Sequence, residues 1–187
     1  MSLLWIIVIV VGAVLLFVIA AYNSLISLKT RTEEAWSDIT VQLKRRYDLI
    51  PNLVSTVKGY AKHEKGVFEE VTKARTEAMN AKGMGSKAET EKSLSDALKS
   101  VFAVAENYPN LKANENFLQL QGELSETENK VEASRRFYNA NVRDYNIKIR
   151  SFPTNVIANM FSFKGKSLFD VGESEKAEVE KAPKVEV

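Results

Sequence analysis

The residues able to do chemistry are few. The chain has one histidine, His63, and no cysteine, which excludes disulfides, thiol nucleophiles and cysteine-based zinc sites. His63-Glu64 opens like the zinc-protease pattern H-E-x-x-H, in which two histidines one helical turn apart hold the metal. The second position is Val67, so the pair reads as polar residues on a helix flank. Gly83-Met84-Gly85 lacks the preceding strand of a dinucleotide-binding loop and reads as a turn between helices. No nucleophile stands beside a base, and neither a paired-carboxylate cleft nor a phosphate loop is recognisable. The expectation is a protein with no catalytic residues, no metal and no cofactor.

Three further clusters could serve binding. Lys44, Arg45 and Arg46 place cations on the flanks of one helical turn, between the apolar Leu43 and Tyr47. They form either a solvated or salt-bridged face or a patch for acidic partners. Lipid is the weaker partner, because an upright helix puts them ~35 Å past the membrane and attraction is screened over ~8 Å. Arg135-Arg136-Phe137-Tyr138-Asn139, followed by Asn141, Arg143, Asp144, Tyr145 and Asn146, mixes aromatics, amides and charges. Such a mixture suits a polar layer inside a bundle, or bases stacked on aromatic rings. The balance of 26 Lys+Arg against 24 Asp+Glu, a net +2, argues against nucleic acid. The apolar run Phe152, Val156, Ile157, Met160, Phe161 and Phe163 either caps a bundle end or docks at a membrane interface or a neighbour's groove. Lys164 and Lys166 favour acidic lipid in the second case.

The elements that must position these groups are helices. With 187 residues the chain is about one domain, and eight Gly and four Pro are too few for a turn-rich β-fold. Leu3 to Ala21, through Trp5, Gly12 and Phe17, carries no charge. Roughly 20 apolar residues cross a bilayer, so this run predicts a membrane span with Trp5 and Tyr22 near its two edges. A cleaved signal peptide, which would leave an exported soluble protein, is disfavoured because Met1-Ser2 is not basic and the run is too long. Lys29 and Arg31 follow the span and no cation precedes it, so the positive-inside rule puts the N-terminus outside and the helical domain in the cytoplasm.

Beyond the span, Leu25, Leu28, Thr32, Ala35, Trp36, Ile39, Leu43, Tyr47 and Ile50 recur at steps of three and four, the stripe of a packed helix. The phase continues past Pro51 to Ala78, predicting one long helix to about Asn80 that is kinked at Pro51. Ser86-Lys87-Ala88-Glu89 reads as a capping box opening a second helix, which stops before Tyr108-Pro109. A third helix runs from about Asn114 to Arg150, and Pro153 opens a short one through Phe161. From residue 164 to 187 the chain reads as a disordered, charged tail. The fold class is all-α: an N-terminal transmembrane helix (1–21) continuing into an elongated antiparallel helical bundle (22–163).

Long motifs carry a family resemblance. They include Glu34-Ala35-Trp36, the stretch from Gln42 through Tyr47-Asp48-Leu49-Ile50-Pro51-Asn52 to Val54, Tyr60-Ala61-Lys62-His63-Glu64, Tyr108-Pro109-Asn110-Leu111, Arg135-Arg136-Phe137-Tyr138-Asn139, and Tyr145-Asn146 with Phe152-Pro153. Over residues 1–163 the chain resembles the LemA family of bacterial membrane proteins. The resemblance implies a single span with a short outward N-terminus, a bacterial inner-membrane location and no established enzymatic activity. It also implies magnetosome-associated relatives tied to membrane formation, and TPM-domain membrane proteins as possible partners.

The functional expectation is a membrane-anchored, non-enzymatic helical scaffold that self-assembles or organises membrane proteins. The alternative is an adaptor or sensor-like module serving one dedicated membrane partner. Self-assembly is expected along Leu28, Ala35, Trp36, Ile39, Leu43 and Tyr47, provided that the third helix turns away and leaves this stripe uncovered.

Overall fold

The structure, a computed structural model, describes residues 3–169. Among these, six helices form: α1 (Leu3–Lys58), α2 (Lys65–Asn80), α3 (Met84–Glu106), α4 (Pro109–Lys112), α5 (Glu115–Arg150) and α6 (Thr154–Met160). The chain divides into two compact units, and α1 and α5 each contribute to both. The first unit is α1 up to Ile39 with Ser134–Leu168; the second is Thr40–Ala133 with Phe169.

The long first helix ends sooner than its apolar phase predicts. α1 passes unbroken through Pro51 and stops at Lys58, and a turn precedes α2. Pro51 has no N–H and leaves the carbonyl of Tyr47 without its helical donor. The Arg75 side chain of α2 supplies one: its Nε donates to the Tyr47 carbonyl at 2.7 Å. The break comes instead at Gly59, where a Cβ would meet the Thr56 carbonyl at 3.3 Å. Tyr60 and Ala61 both donate to the Val57 carbonyl as the chain turns. Val57, Ala61 and Phe68 are all buried on either side of that turn, so the hydrophobic phase runs straight across it and conceals it.

The predicted capping box is also corrected. α3 begins at Met84, with Gly83 as its N-cap at a positive φ of 87° that suits glycine. Ser86 lies inside the first turn, and its carbonyl accepts from the Thr90 hydroxyl. Asn114 does cap α5, accepting from the Phe117 N–H at 3.1 Å.

In the first unit, α5 runs antiparallel to α1. Trp36 meets Tyr138 at 5.8 Å between ring centroids, and Ile149 packs near Ala21 and Leu25. The short α6 then lays Ile157 and Ala158 on Ala21 and Leu25, with Val18 and Tyr22 at the edge of the contact. Pro153 stands at the N-cap of α6, one residue earlier than expected. α6 ends in a Schellman motif: Phe163 N–H donates to the Ala158 carbonyl and Ser162 N–H to that of Asn159. The left-handed position is Ser162, at φ 57°.

That reversal sends the chain back along α5. Tyr145 and Tyr138 donate to the carbonyls of Lys164 and Ser167. Asn146 grips the Lys166 backbone from both sides, donating to its carbonyl at 2.8 Å and accepting from its N–H at 2.9 Å. At Gly165 a Cβ would stand 3.3 Å from Asn146 Oδ1. Residues 164–168 are therefore a bound strap and Phe169 is buried, a correction to the disordered tail expected from residue 164; residues 170–187 of that expectation lie outside the described residues.

Ser162 gives a direct test. A left-handed conformation costs an L-residue ~1–2 kcal/mol that glycine avoids, partly offset by the greater freedom of glycine in the unfolded chain. Ser162→Gly should raise the unfolding free energy of the full-length chain in detergent by about 1 kcal/mol, read by thermal or denaturant titration of its helical signal. A loss would show that the serine side chain outweighs its backbone cost.

Candidate functional site

Three places on the molecule bear on function, and the first is internal. Arg46 is 3% exposed, although the sequence grouped it with a surface patch. One guanidinium nitrogen bonds Glu91 Oε2 at 3.2 Å, and the other bonds Ser95 Oγ and Glu128 Oε2, both at 2.8 Å. The neighbouring Tyr47 donates its hydroxyl to Glu91 Oε1. Lys87 caps the end of α2 through the Ala78 carbonyl at 2.5 Å and lies over the Tyr47 ring. Burial holds the Glu91 carboxyl above its ordinary range, outweighing the lowering by Tyr47, Arg46 and Lys87. The same burial, reinforced by Glu91, pushes the Tyr47 hydroxyl far up. These bonds make the group a polar lock joining α1, α2, α3 and α5. Of the predicted acidic-partner patch, Lys44 and Arg45 stay exposed, and Arg46 is corrected to a core residue.

The second place is an open groove of about 870 Å³ at the start of α2, bordered by Lys58, Lys62, Lys65, Phe68, Glu69 and Lys73. Lys58 lies 5.6 Å from the Phe68 ring centroid, a cation–π contact. Sequence reading missed this groove because its lysines are spread across the unforeseen turn. His63-Glu64 stands in that same turn and not on a helix flank, with His63 exposed.

The third place flanks the end of the apolar run. No residue from Leu3 to Ala20 is buried, and the packed core begins at Ala21 and Leu25. α6 sits on that boundary with two faces. Thr154, Ile157 and Ala158 point inward. Val156 and Met160, one turn apart, point outward, and Phe152 just before the helix is also on the surface, with Phe152 83% and Met160 67% exposed. The predicted docking segment therefore splits: Ile157 is corrected to a core contact, whereas Phe152, Met160 and Phe161 remain on the surface. Phe161 also meets the Tyr22 ring at 4.8 Å. Beside it opens a cleft of about 470 Å³ bordered by Tyr22, Lys29, Phe163, Lys164 and Lys166. Lys166 is paired with Glu33 at 3.1 Å.

The predicted assembly stripe is covered by its own chain, which is the main correction. Ala35, Ile39, Leu43 and Tyr47 are buried, and Leu28 and Trp36 are half-buried. At Trp36 the cover is α5, which returns along α1 and brings Tyr138 against the indole, whereas Tyr47 is met by Ala78 of α2 and by Lys87 and Glu91 of α3. Of the mixed aromatic and polar segment, Tyr138 and Tyr145 are buried and, with Asn146, bond the backbone of residues 164–167, while Arg135 and Asn139 are half-buried.

Comparison with known families decides what kind of chain this is. The profile of the LemA family matches residues 35–186. The chain belongs to the LemA family. Its LemA-family relatives include the magnetosome protein MamQ 2 of Paramagnetospirillum magneticum, 27% identical over 174 residues, covering 79% of this chain and 64% of the relative. Protein LemA of Metamycoplasma hominis is 27% identical over 159 residues, covering 84% of this chain and 73% of its own length. MamQ of Magnetospirillum gryphiswaldense is 23% identical over 169 residues, covering 76% and 62%. The match thus spans less than two thirds of the MamQ proteins. With one helix among the described residues long and apolar enough to cross a membrane, and with these relatives, the LemA-family chain is a membrane-associated helical protein.

Proposed function

We propose that this chain is a non-enzymatic scaffold, anchored by α1 in the bacterial inner membrane, whose helical domain organises membrane proteins from the cytoplasmic side. One observation carries the reading: the apolar band from Leu3 to Ala20 contains no buried residue, and Val18 at its end is the point where it meets the packed core. Exposed apolar patches on soluble proteins rarely exceed a few hundred Å², and a band of this length matches a bilayer's hydrocarbon thickness of ~30 Å. The buried Arg46–Glu91 lock serves shape and not turnover. The magnetosome relatives favour a role tied to membranes, and TPM-domain proteins are candidate partners on the family resemblance. Lys29 and Arg31, which follow the span, support a cytoplasmic domain by the positive-inside rule.

The adaptor reading gains from a specific observation. Burial of Ala35, Ile39 and Leu43 removes the surface on which self-assembly rested. The mass of the full-length protein in mild detergent separates the two: a large uniform particle supports the scaffold, and a monomer with one tightly held partner supports the adaptor. Topology is tested by Glu89→Cys in this cysteine-free chain. An impermeant thiol reagent should leave intact cells unlabelled and label them after permeabilisation. Labelling of intact cells would place the domain outside.

A further inference from the structure

We infer that α6 and the cleft beside it form an interfacial membrane-binding site, with the outward face of α6 in the acyl-chain boundary and the cleft holding the phosphate headgroup of an acidic phospholipid. The inference rests on the membrane anchor proposed above and adds a second, monotopic contact to it.

Depth comes first. From Leu3, α1 rises ~1.5 Å per residue, so Ala21 and Tyr22 arrive ~28 Å later, where hydrocarbon of ~30 Å gives way to headgroups. α6 is packed on Val18, Ala21, Tyr22 and Leu25. It therefore lies at the height of that boundary, fixed there by Ile157 and Ala158. The chemistry of its other side comes next. Val156 and Met160, one turn apart on α6, are exposed; Phe152 just before the helix is exposed as well, and Phe161 and Phe163 after it reach Tyr22. With Ile157 and Ala158 on the core and Val156 and Met160 outward, the segment offers an apolar outer surface of the kind that enters a membrane interface.

The cleft completes the site. Tyr22, Lys29, Phe163, Lys164 and Lys166 border it. Lys166 is engaged by Glu33, but Lys29 and Lys164 are exposed and bring positive charge to the same opening. Lys164 is held in place because its own carbonyl accepts from Tyr145 and the next residues are gripped by Asn146. Lys29 stands two turns beyond Tyr22, a distance that a snorkelling side chain narrows. This separates it from Lys44 and Arg45, which lie four turns farther along α1.

The test uses the full-length chain in vesicles and exploits its lack of cysteine. Phe152→Cys, Val156→Cys and Met160→Cys are labelled with an environment-sensitive dye, with Val10→Cys as the span control and Ser55→Cys as the aqueous control. Doxyl-labelled phosphatidylglycerol and phosphatidylcholine serve as quenchers, and helicity is checked for each variant. The α6 labels should give blue-shifted emission and several-fold stronger quenching by shallow doxyl groups than Ser55→Cys. Quenching at Met160→Cys should favour phosphatidylglycerol, and Lys29→Gln with Lys164→Gln should remove that preference, by about fivefold per lysine. Water-like emission at all three α6 positions, with Val10→Cys quenched, overturns this inference and leaves the anchor standing. An unquenched Val10→Cys overturns the anchor and the inference with it. Blue-shifted α6 labels that lipid does not quench overturn it in favour of a protein partner on this face. Equal quenching by both lipids overturns the headgroup assignment.

Discussion

Arg46→Ala should be the most damaging single substitution in the helical domain, lowering its unfolding free energy by about 3–5 kcal/mol. The change leaves the buried Glu91 carboxylate with its nearest cation removed. Tyr47 stays bonded to it and Lys87 stays near, but neither replaces the contacts at 3.2 and 2.8 Å that Arg46 makes to Glu91 and Ser95. Glu128, about half exposed, is resolvated easily and adds little to the loss. The double variant Arg46→Met with Glu91→Met should recover most of the loss, because no buried charge is left behind. If the double variant is as unstable as Arg46→Ala, the damage comes from packing and not from charge. Denaturant titration of the full-length chain in detergent distinguishes the two outcomes.

The same lock predicts a pH dependence with a definite sign. Burial raises the Glu91 pKa above the ordinary value of 4.5, so between that value and the raised one the folded chain binds more protons than the unfolded. Stability contributed by this group is full below pH 4.5 and is lost as pH rises through the folded pKa. Glu91→Gln, which imitates the protonated acid, should flatten this part of the profile while keeping an acceptor for Tyr47.

The second large effect joins a proline to a residue on another helix. Arg75→Ala should cost about 1–3 kcal/mol, because it leaves the Tyr47 carbonyl without a donor inside the bundle. In a Pro51→Ala background the same substitution should cost much less, since the alanine restores the backbone N–H that proline lacks. A double-mutant cycle reads the coupling directly. Equal costs in both backgrounds would mean that Arg75 acts by packing or charge alone. Pro51 thus stays inside α1 because α2 repairs the bond it breaks, and this is also why the helix does not end there.

Much of the fold was legible in local pattern. Tyr108-Pro109 stops α3, Asn114 caps α5, and the apolar run of α1 declares itself by length. What stayed hidden has one physical origin, partners distant in the chain. Arg46 looks like a third surface cation until Glu91 and Glu128 arrive from α3 and α5. Tyr145-Asn146 is visible as a motif, but its hold on Lys166 depends on the left-handed turn at Ser162, and serine does not advertise one. The turn after Lys58 was masked because Val57, Ala61 and Phe68 keep helical phase across a break in the helix. For the candidate site, the apolar composition of residues 152–163 was readable, whereas its division into an inward Ile157 and an outward Phe152 and Met160 needed the contact with Ala21.

No linker separates the apolar run of α1 from its packed portion: the helix that leaves Ala20 is the helix whose Leu25 and Thr32 are buried. Proteins tethered by flexible chains are indifferent to the thickness of the bilayer that holds them. Here a thinner membrane, which a long span meets by tilting, must tilt Leu25 together with Leu16 and carry the seat of α6 along. With the anchor and the α6 contact proposed above, hydrophobic mismatch would become a mechanical input, and the thickness of the lipid sheet would set how deeply Phe152 and Met160 are pressed into it.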